Sequence, residues 1–485
     1  MLFNSFAYLI FFFVGMLGAW ALKNRAWQHS FLLLASFYFY ASWNTYLLLL
    51  IIASALLDFL LARWMASAVS AGKRRLLLIC SLSSNLGLLA FFKYTNFLLE
   101  TAYSAQHWAG LGWMPAPLHV NVILPVGISF YTFQTLSYTV DVYRGKLTPI
   151  DNFQRFLLFI SFFPQLIAGP IVRAADFLPQ LAKRAEILPG NLKLGFTLFL
   201  GGLVKKVVFA DSLGLFVEKV YSQPAVFDSA SIVLATVAYA AQIYCDFSGY
   251  TDMAIGSATA LGFWLPKNFD YPYLAGSVTE FWQRWHMSLS TWLRDYLYIP
   301  LGGNRKGRLR TYFNLLATML LGGLWHGAKW TFVAWGAYQG LLLAAHRFYS
   351  EGVECNPRLH WFQQLRKTAP FRVLSIAGTL YLVLIGWIFF RAQNFHDLGC
   401  LLQKFILFNG GFHRYNGVTF REAITVAGLI AAFVTFHLVS YRTGRLAQKL
   451  ATANDQVWCG CVSAGLLMLM LLAPSHSPEF IYFQF

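Results

Sequence analysis

Long apolar runs alternate with short polar loops from one end of the chain to the other. Runs such as 47–64 and 457–473 are continuously apolar and close to the roughly 20 helical residues that cross a hydrocarbon core of about 30 Å. A membrane β-barrel would instead show segments of about ten residues in which apolar and polar positions alternate. The pattern therefore predicts an all-α, polytopic transmembrane helical bundle.

Basic residues order the predicted spans, because Lys and Arg near span ends favour the cytoplasmic side of the membrane. The apolar stretch 31–63 is interrupted at 42–45, which predicts a tight pair of spans. Further spans are predicted at 76–99, 120–140, 231–261, 373–390, 423–440 and 457–473. With the interrupted stretches between them, we expect about 10–12 spans plus re-entrant and interfacial helices, in a single membrane domain of residues 1–485.

Proline and glycine interrupt the apolar region between residues 153 and 210. The breaks lie at Pro164, at Gly169-Pro170 and at Pro189-Gly190. Within a bilayer, such breaks survive only where protein or a water-filled cavity satisfies the freed backbone groups. We therefore expect the helices to enclose a funnel or internal cavity.

Composition supports the membrane assignment. The 485 residues are 58% hydrophobic and 12% charged, against roughly 25% charged residues in a typical soluble domain. The net charge of +17 is spread over short loops between apolar runs, which argues against nucleic-acid binding and favours contact with membrane lipid. The six cysteines and the spacings of histidines and carboxylates fit no metal motif, so we predict no metal site.

The stretch 311–346 contains the first candidate for chemistry. Its 36 residues would form a helix of about 54 Å, nearly twice the thickness of a bilayer core, so the stretch has to break or bend. Basic residues flank both ends, and the natural break lies at Gly322-Gly323 or at Gly327. This places His326 deep in the membrane or at the floor of a cavity. Such a histidine marks a functional site that exchanges protons near neutral pH, or it is a buried imidazole bonded to a neighbouring helix.

The segment 280–300 contains a second histidine among aromatic residues. Its apolar positions recur at helical spacing: Trp282, Trp285, Leu289, Trp292 and Tyr296. This stripe is typical of a helix that lies in the membrane interface. Surface anchoring explains the tryptophans but not His286, which is either a second catalytic group or a hydrogen-bonding partner.

Polar side chains cluster between residues 244 and 252 in an otherwise apolar region. Asp246 and Asp252 are six positions apart, which places them on nearly opposite faces of a helix. An internal hydrogen-bond network around Gly249 therefore explains the cluster better than a pair of carboxylates for acid–base catalysis does.

Six segments carry a resemblance to a known family: residues 141–145, 162–171, 246–252, 281–300, 322–327 and 480–485. Their order and spacing, over most of the chain, resemble the membrane-bound O-acyltransferase family. The match is to its bacterial branch, which includes alginate O-acetyltransferases and D-alanyl transferases. Thr251 stands where relatives often have Ser, which exchanges one hydroxyl for another.

The resemblance implies that His326 is the family's catalytic histidine and that His286 occupies the polar position of its second motif. The same motifs imply binding or supporting roles for Trp325, Asp246, Ser248, Tyr250, Arg284, Trp285, Arg294 and Asp295. The resemblance also implies acetyl-CoA as acyl donor, a funnel that brings this thioester close to an acceptor on the other face, and the bacterial inner (cytoplasmic) membrane as location. Basic inside loops support this interpretation by offering cations to an anionic cofactor.

On this interpretation the chain is an acetyl-CoA-dependent O-acyltransferase that serves an exported polysaccharide such as alginate, cellulose or peptidoglycan. A thioester is already activated, so the main tasks are alignment with a hydroxyl and removal of its proton, for which His326 is the predicted general base. The chain shows no large extracytoplasmic domain. We therefore expect a separate periplasmic partner, a serine hydrolase-like O-acetyltransferase protein, to pass the acetyl group on.

Two other functions fit part of the sequence. One is D-alanyl transfer from a carrier protein to teichoic acid; the chain length and the ending 480–485 favour the alginate-type branch over it. The other is a transporter that moves a polysaccharide or an acyl intermediate without catalysis. Transporters commonly show internal repeats with paired broken segments, and the sequence shows none.

Overall fold

The structure is a computed structural model that describes residues 1–110, 116–167, 169–354, 356, 358, 360–411, 417–474 and 480–481. Every regular element in these ranges is helical, which confirms the prediction of an all-α protein. The chain divides into two compact units: Met1–Phe196 with Met253–Pro266, and Thr197–Asp252 with Lys267–Phe485. Compactness alone does not decide whether residues 1–485 act as one membrane domain, and this stays a prediction.

The helices are numbered in chain order. The first ten are α1 (Phe6–Ala21), α2 (Arg25–Ala41), α3 (Thr45–Ser67), α4 (Ala71–Trp108), α5 (Ile128–Tyr143), α6 (Phe153–Ser161), α7 (Phe163–Leu166), α8 (Ala174–Phe177), α9 (Pro189–Val204) and α10 (Ser212–Tyr221). The next six are α11 (Ser229–Ala260), α12 (Val278–Arg284), α13 (Met287–Leu293), α14 (Arg308–His326), α15 (Trp330–Glu354) and α16 (His360–Leu365). The last five are α17 (Ala369–Arg391), α18 (Phe395–Ile406), α19 (Phe420–Thr443), α20 (Leu446–Thr452) and α21 (Asp455–Leu472).

Short segments of other helical geometry complete the chain. Tighter 3-10 turns cover Leu178–Ala182 and Pro272–Leu274, and wider π-helical turns cover Lys205–Asp211 and Arg294–Tyr298. A π-helical turn places residues five apart on one face, and such turns are frequent at functional sites. The first of them brings together charged side chains of the candidate site described below.

Six of the described helices are long and apolar enough to cross a membrane: α3, α4, α11, α17, α19 and α21. The helix α1 is also apolar but shorter. This confirms a polytopic membrane protein, although the predicted boundaries shift. The helix α4 begins at Ala71, before the predicted span 76–99, and includes Lys73, Arg74 and Arg75, because lysine and arginine are good helix formers where they project beyond an apolar core. The span predicted at 120–140 begins only at Ile128, after Pro125 and Gly127.

Helix starts follow capping residues that are visible in the sequence. Asn24 and Asn44 accept hydrogen bonds from the backbone N–H groups of the first turns of α2 and α3. At α19, Thr419 and Glu422 form a reciprocal capping box. These side chains satisfy N–H groups that have no partner within the helix, and they explain why the tight break at 42–45 was predicted correctly.

A buried polar cluster joins three helices of the first unit. The carboxylate of Asp58 on α3 accepts hydrogen bonds from Ser81 Oγ at 2.6 Å and from Asn85 Nδ2 at 2.7 Å, both on α4. Thr135 on α5 donates to Asn85 at 3.1 Å. Polar groups inside an apolar bundle are costly unless they pair with each other, so this cluster fixes how the three helices pack.

Helices α14 and α15 form a closely packed pair in the second unit. The predicted break falls at Gly327, whose backbone is extended, so that α14 ends at His326. Glycines permit the close approach: a Cβ on Gly323 would lie 2.3 Å from the carbonyl oxygen of Phe332, and one on Gly336 would lie 2.4 Å from that of Met319. The position of His326 therefore depends on backbone contacts between α14 and α15.

Replacing Gly323 with alanine is expected to destabilise the protein by about 1–3 kcal/mol, because the added methyl group meets rigid backbone. The matched control is Gly322→Ala, where the nearest atom is the flexible Leu293 Cδ1 at 3.3 Å and alanine also favours the helix. Thermal unfolding of both purified proteins in detergent measures the difference. A Gly323→Ala protein as stable as the Gly322→Ala protein would contradict this account of the packing.

Candidate active site

His326 lies in an aromatic enclosure at the C-terminal end of α14. The residue is 4% exposed. Its ring centre lies 5.0 Å from that of Trp325, 5.2 Å from that of Trp335 on α15 and 5.3 Å from that of Phe390 on α17. The rings of Trp335 and Phe390 meet it nearly edge to face, at 89° and 72°. The imidazole is thus buried among aromatic rings, where electrostatic interactions are stronger than in water.

His286 lies beside this enclosure although it comes from a different part of the sequence. It is fully buried and occupies the break between α12 and α13. Its ring centre is 4.7 Å from that of Phe247, 6.1 Å from that of Trp325 and 6.5 Å from that of His326. The fold therefore brings the two predicted catalytic histidines and Trp325 together.

The backbone of His286 is strained, with φ of 43° in the left-handed region. A residue with a Cβ pays a free-energy cost there, of about 1–2 kcal/mol, although histidine tolerates it better than most residues. Two backbone hydrogen bonds hold the conformation: Asp270 N–H donates to the carbonyl of Arg284, and Met287 N–H donates to the carbonyl of Asn268. Such strain is typical of functional sites, where the surrounding structure enforces it.

Burial lowers the pKa of His286 to about 3. The group lies outside the six apolar spans. With its pKa far below neutrality, this imidazole is uncharged at neutral pH and can accept a proton or a hydrogen bond. The charged form becomes populated only near and below pH 3, so the site keeps the same charge on this residue across the physiological range.

A buried ion cluster includes Asp246, the residue before Phe247. Lys206, in the π-helical turn, pairs with Asp211 and with Asp246, each at 2.7 Å. The second oxygen of Asp246 accepts the backbone N–H of Ile481 at 2.7 Å. The carboxylate of Asp246 therefore binds a lysine and the C-terminal segment, and it lies one residue away from the ring that contacts His286.

Ser248 and Tyr250 are buried on the same helix, α11. The ring of Tyr250 packs on that of Phe480, with centres 4.1 Å apart, and Lys206 Nζ lies 5.9 Å from the tyrosine ring. Gly249 lies close to the backbone of Gly202, but Ser248 Oγ and Thr251 Oγ1 have no hydrogen-bond partner among the described residues, so the hydrogen-bond network around this glycine stays a prediction. Residues 482–485 of the predicted family motif lie outside the described residues.

The remaining predicted supporting residues lie at the end of α12, directly before His286, and in the π-helical turn that follows α13. Arg284 pairs with Glu280 at 2.5 Å, and Arg294 is exposed and pairs with its neighbour Asp295 at 2.7 Å. Trp285 is buried against Trp387, with ring centres 4.8 Å apart.

The predicted continuous interfacial helix over Trp282, Trp285, Leu289, Trp292 and Tyr296 is wrong. The chain forms two short helices, α12 and α13, followed by a π-helical turn. Trp285 is 2% exposed and Trp292 is 9% exposed, so both belong to the core of the second unit. The left-handed backbone of His286 interrupts the helix between Trp285 and Leu289.

Three residues that the structure places at the site were not predicted from the sequence. Lys206 gave a signal, because a pair of lysines inside an apolar run needs buried partners. Phe247 and Asn268 gave none, since a phenylalanine in an apolar helix and a single asparagine in a loop are common. In the described part of the chain, no group of three or more histidines, cysteines and carboxylates could hold a metal ion.

The funnel stays a prediction. A groove of about 650 Å³ runs between α11 and α19 in the second unit, and it is lined by apolar residues such as Val233, Leu234 and Ile430. Neither candidate histidine lines this groove. It is therefore a feature of the membrane-spanning helices and does not outline a path to the site.

The fold and the histidine pair define a multi-pass helical membrane protein with a buried candidate site for proton transfer. Residues 35–377 match the model of the membrane-bound O-acyltransferase (MBOAT) family. A probable alginate O-acetylase AlgI of Pseudomonas putida is 37% identical over 512 aligned positions, covering 100% of both chains. The corresponding protein of Pseudomonas aeruginosa is 41% identical over 397 positions, covering 81% of this chain and 72% of the relative.

The name of a third relative refers to a different polymer. A peptidoglycan O-acetyltransferase of Helicobacter pylori is 34% identical over 532 aligned positions, covering 100% of this chain and 98% of the relative. Similarity of this extent, together with the family match, leaves no ambiguity about the family. The chain belongs to the membrane-bound O-acyltransferase family, which confirms the resemblance seen in the sequence.

Proposed function

We propose that this chain is a membrane O-acetyltransferase that takes acetyl groups from acetyl-CoA and serves an exported polysaccharide. The observation that carries the proposal is the pairing of His286 and His326, with ring centres 6.5 Å apart in a buried aromatic environment. The full-length similarity to a probable alginate O-acetylase and to a peptidoglycan O-acetyltransferase supports the choice of acetyl group and of polymer class. Alginate, cellulose and peptidoglycan are the candidate polymers.

The chemistry requires little more than alignment and proton transfer. The oxygen of an acceptor hydroxyl attacks the thioester carbonyl, a C–O bond forms, and the C–S bond breaks. His326 takes the hydroxyl proton as general base, and the departing CoA thiolate recovers a proton. Holding both reactants in a dry enclosure removes most of the entropic cost of their encounter.

Donor binding has electrostatic support at the start of α14. Arg305, Lys306, Arg308 and Arg310 are exposed there in a short segment. A cluster of cations attracts the phosphates of a nucleotide cofactor. We assign this face to the cytoplasm, where acetyl-CoA is made, and place the protein in the bacterial inner membrane. A periplasmic serine hydrolase-like partner then passes the acetyl group to the polysaccharide.

The donor is tested with membranes that contain the protein, incubated in parallel with labelled acetyl-CoA and with a labelled D-alanyl carrier protein. We expect label from acetyl-CoA to reach acceptor material, and none from the D-alanyl carrier. Membranes without the protein provide the background. Labelling by the D-alanyl carrier alone would replace this proposal with D-alanyl transfer to teichoic acid.

A further inference from the structure

The side-chain amide of Asn268 has only one orientation that fits its neighbours. The residue is 1% exposed, and its Oδ1 lies 3.1 Å from the backbone nitrogen of Ser288 and 2.9 Å from Ser288 Oγ. A backbone N–H can only donate, so the atom facing it has to be the acceptor oxygen and not the NH₂ group. The hydrogen-bond pattern therefore fixes the orientation of the amide.

This oxygen determines which nitrogen of His286 carries the proton. Nδ1 of His286 lies 3.2 Å from Asn268 Oδ1. A carboxamide oxygen has no hydrogen to give, so the hydrogen bond exists only if Nδ1–H donates. In a neutral imidazole, the other nitrogen then has a lone pair and no hydrogen. The tautomer of His286 is thus set by Asn268.

The lone pair on Nε2 of His286 has no hydrogen-bond partner among the described residues. The residue is fully buried, and a buried acceptor without a donor is unfavourable. The ring of His326 does not supply the donor. Since an imidazole nitrogen lies only about 1 Å from its ring centre, ring centres 6.5 Å apart keep the nitrogens of the two histidines beyond hydrogen-bonding distance. The separation suits a hydroxyl group bound between the two rings.

We propose that Asn268 is a positioning residue, which holds His286 in the Nδ1–H tautomer so that Nε2 accepts a hydrogen bond from a second donor group of the bound acceptor, while His326 takes the proton of the reacting hydroxyl. This inference rests on the proposed function for the nature of the bound acceptor, but not for the tautomer. The backbone of Asn268 supports the same role. Its carbonyl accepts the N–H of Met287, so the strained conformation of His286 and the placement of the amide are held by the same residue.

The tautomer is measured directly by ¹⁵N NMR of protein labelled at histidine, because protonated and unprotonated imidazole nitrogens differ widely in chemical shift. The signals of His286 are those that disappear in His286→Gln. We expect a protonated Nδ1 and an unprotonated Nε2 in the wild type, and loss of this single tautomer in Asn268→Leu. A protonated Nε2 in the wild type would overturn the proposal, whatever the acyl donor proves to be.

A matched variant separates this effect from the general loss of a buried amide. Asn314 is also fully buried in the second unit, and its side chain donates to the carbonyl of Gly303 at 2.9 Å. In Asn314→Leu, the ¹⁵N signals of His286 are expected to keep the wild-type tautomer. Equal changes in Asn268→Leu and Asn314→Leu would show that Asn268 has only a structural role.

Kinetics provide the second measurement. Asn268→Leu is expected to lower kcat about 10²-fold with little change in KM for acetyl-CoA, because the alignment of the acceptor is affected and donor binding is not. Asn268→Asp keeps an acceptor for Nδ1–H, but its carboxylate favours the charged imidazole. In Asn268→Asp, the acid limb of the pH–rate profile is therefore expected to move to higher pH. At pH values above this limb, the variant is expected to recover activity.

The neighbours of His286 make this pH shift interpretable. The titratable group that faces it from α14 is His326, while α11 presents Phe247, and Asn268 and Ser288 are neutral. A purely structural role predicts the same loss in Asn268→Leu and Asn268→Asp at every pH, and that result would refute the positioning role. If no variant or wild-type protein uses acetyl-CoA, the proposed function fails while the NMR result still decides the tautomer.

Discussion

Replacing His326 with alanine is expected to lower acetyl transfer from acetyl-CoA by about 10³-fold, the range typical for loss of a general acid–base group. The imidazole is enclosed by Trp325, Trp335 and Phe390, whose rings cannot take a proton from a hydroxyl. The exposed cations at the start of α14, which we propose to bind the donor, are unchanged, so the loss is expected in kcat more than in KM. Transfer and hydrolysis of labelled acetyl-CoA by purified protein measure it.

Two further variants control this experiment. His396 is an exposed histidine on α18 of the same unit, and His396→Ala is expected to retain the wild-type rate. His326→Gln fills most of the volume that alanine leaves empty, so a loss shared by both substitutions at position 326 belongs to the imidazole and not to a cavity. Equal turnover by the wild type and His326→Ala would refute catalysis by His326 and leave a transporter as the alternative.

Replacing Lys206 with methionine is expected to destabilise the protein by about 3–5 kcal/mol, because removing one member of a buried ion cluster leaves opposite charges inside the protein. Lys206 is the cation shared by Asp211 and Asp246, and all three side chains are at most 4% exposed. Both carboxylates then have to take up protons or draw in water. Thermal unfolding in detergent measures the loss.

The neighbouring lysine is the matched control. Lys205 pairs with Asp252 at 2.6 Å, but these side chains are 17% and 29% exposed. Water stabilises Asp252 when the cation is removed, so Lys205→Met is expected to cost only about 1 kcal/mol. If Lys206→Met cannot be recovered from membranes while Lys205→Met can, this also shows that Lys206→Met is the more destabilising substitution. Equal unfolding temperatures for the two variants would contradict the importance of the buried cluster.

Most of the fold could be predicted from the sequence because long apolar runs and capping residues act locally. The break between α2 and α3 follows from Asn44, and the break between α14 and α15 follows from the length of the stretch and from Gly327. Boundaries shifted where charges extend a helix, as at the start of α4, or where proline and glycine delay one, as before α5. These shifts depend on what surrounds each helix end, which composition does not report.

The site was predictable only in part. His326 and His286 were selected as polar residues in apolar surroundings, and the structure places their rings side by side. The break at His286 was missed, because its left-handed backbone is imposed by pairing with residues 268–270 and not by its own preference. Asn268 was missed for the same reason. A long-range hydrogen bond leaves no repeating pattern of residues in the sequence, whereas an apolar helix face does.

The first unit is formed by two separate segments of the chain, and this affects when it can fold during synthesis. Residues 253–266 belong to the first unit, whereas the preceding residues 197–252 belong to the second. Tyr8 on α1 bonds to Ser257 at 2.8 Å, and Gln180 forms two hydrogen bonds with the backbone of Trp264. During synthesis on the ribosome, the earliest helices therefore enter the membrane well before these partners exist. The first unit reaches its final packing only after residue 266 has been added to the growing chain.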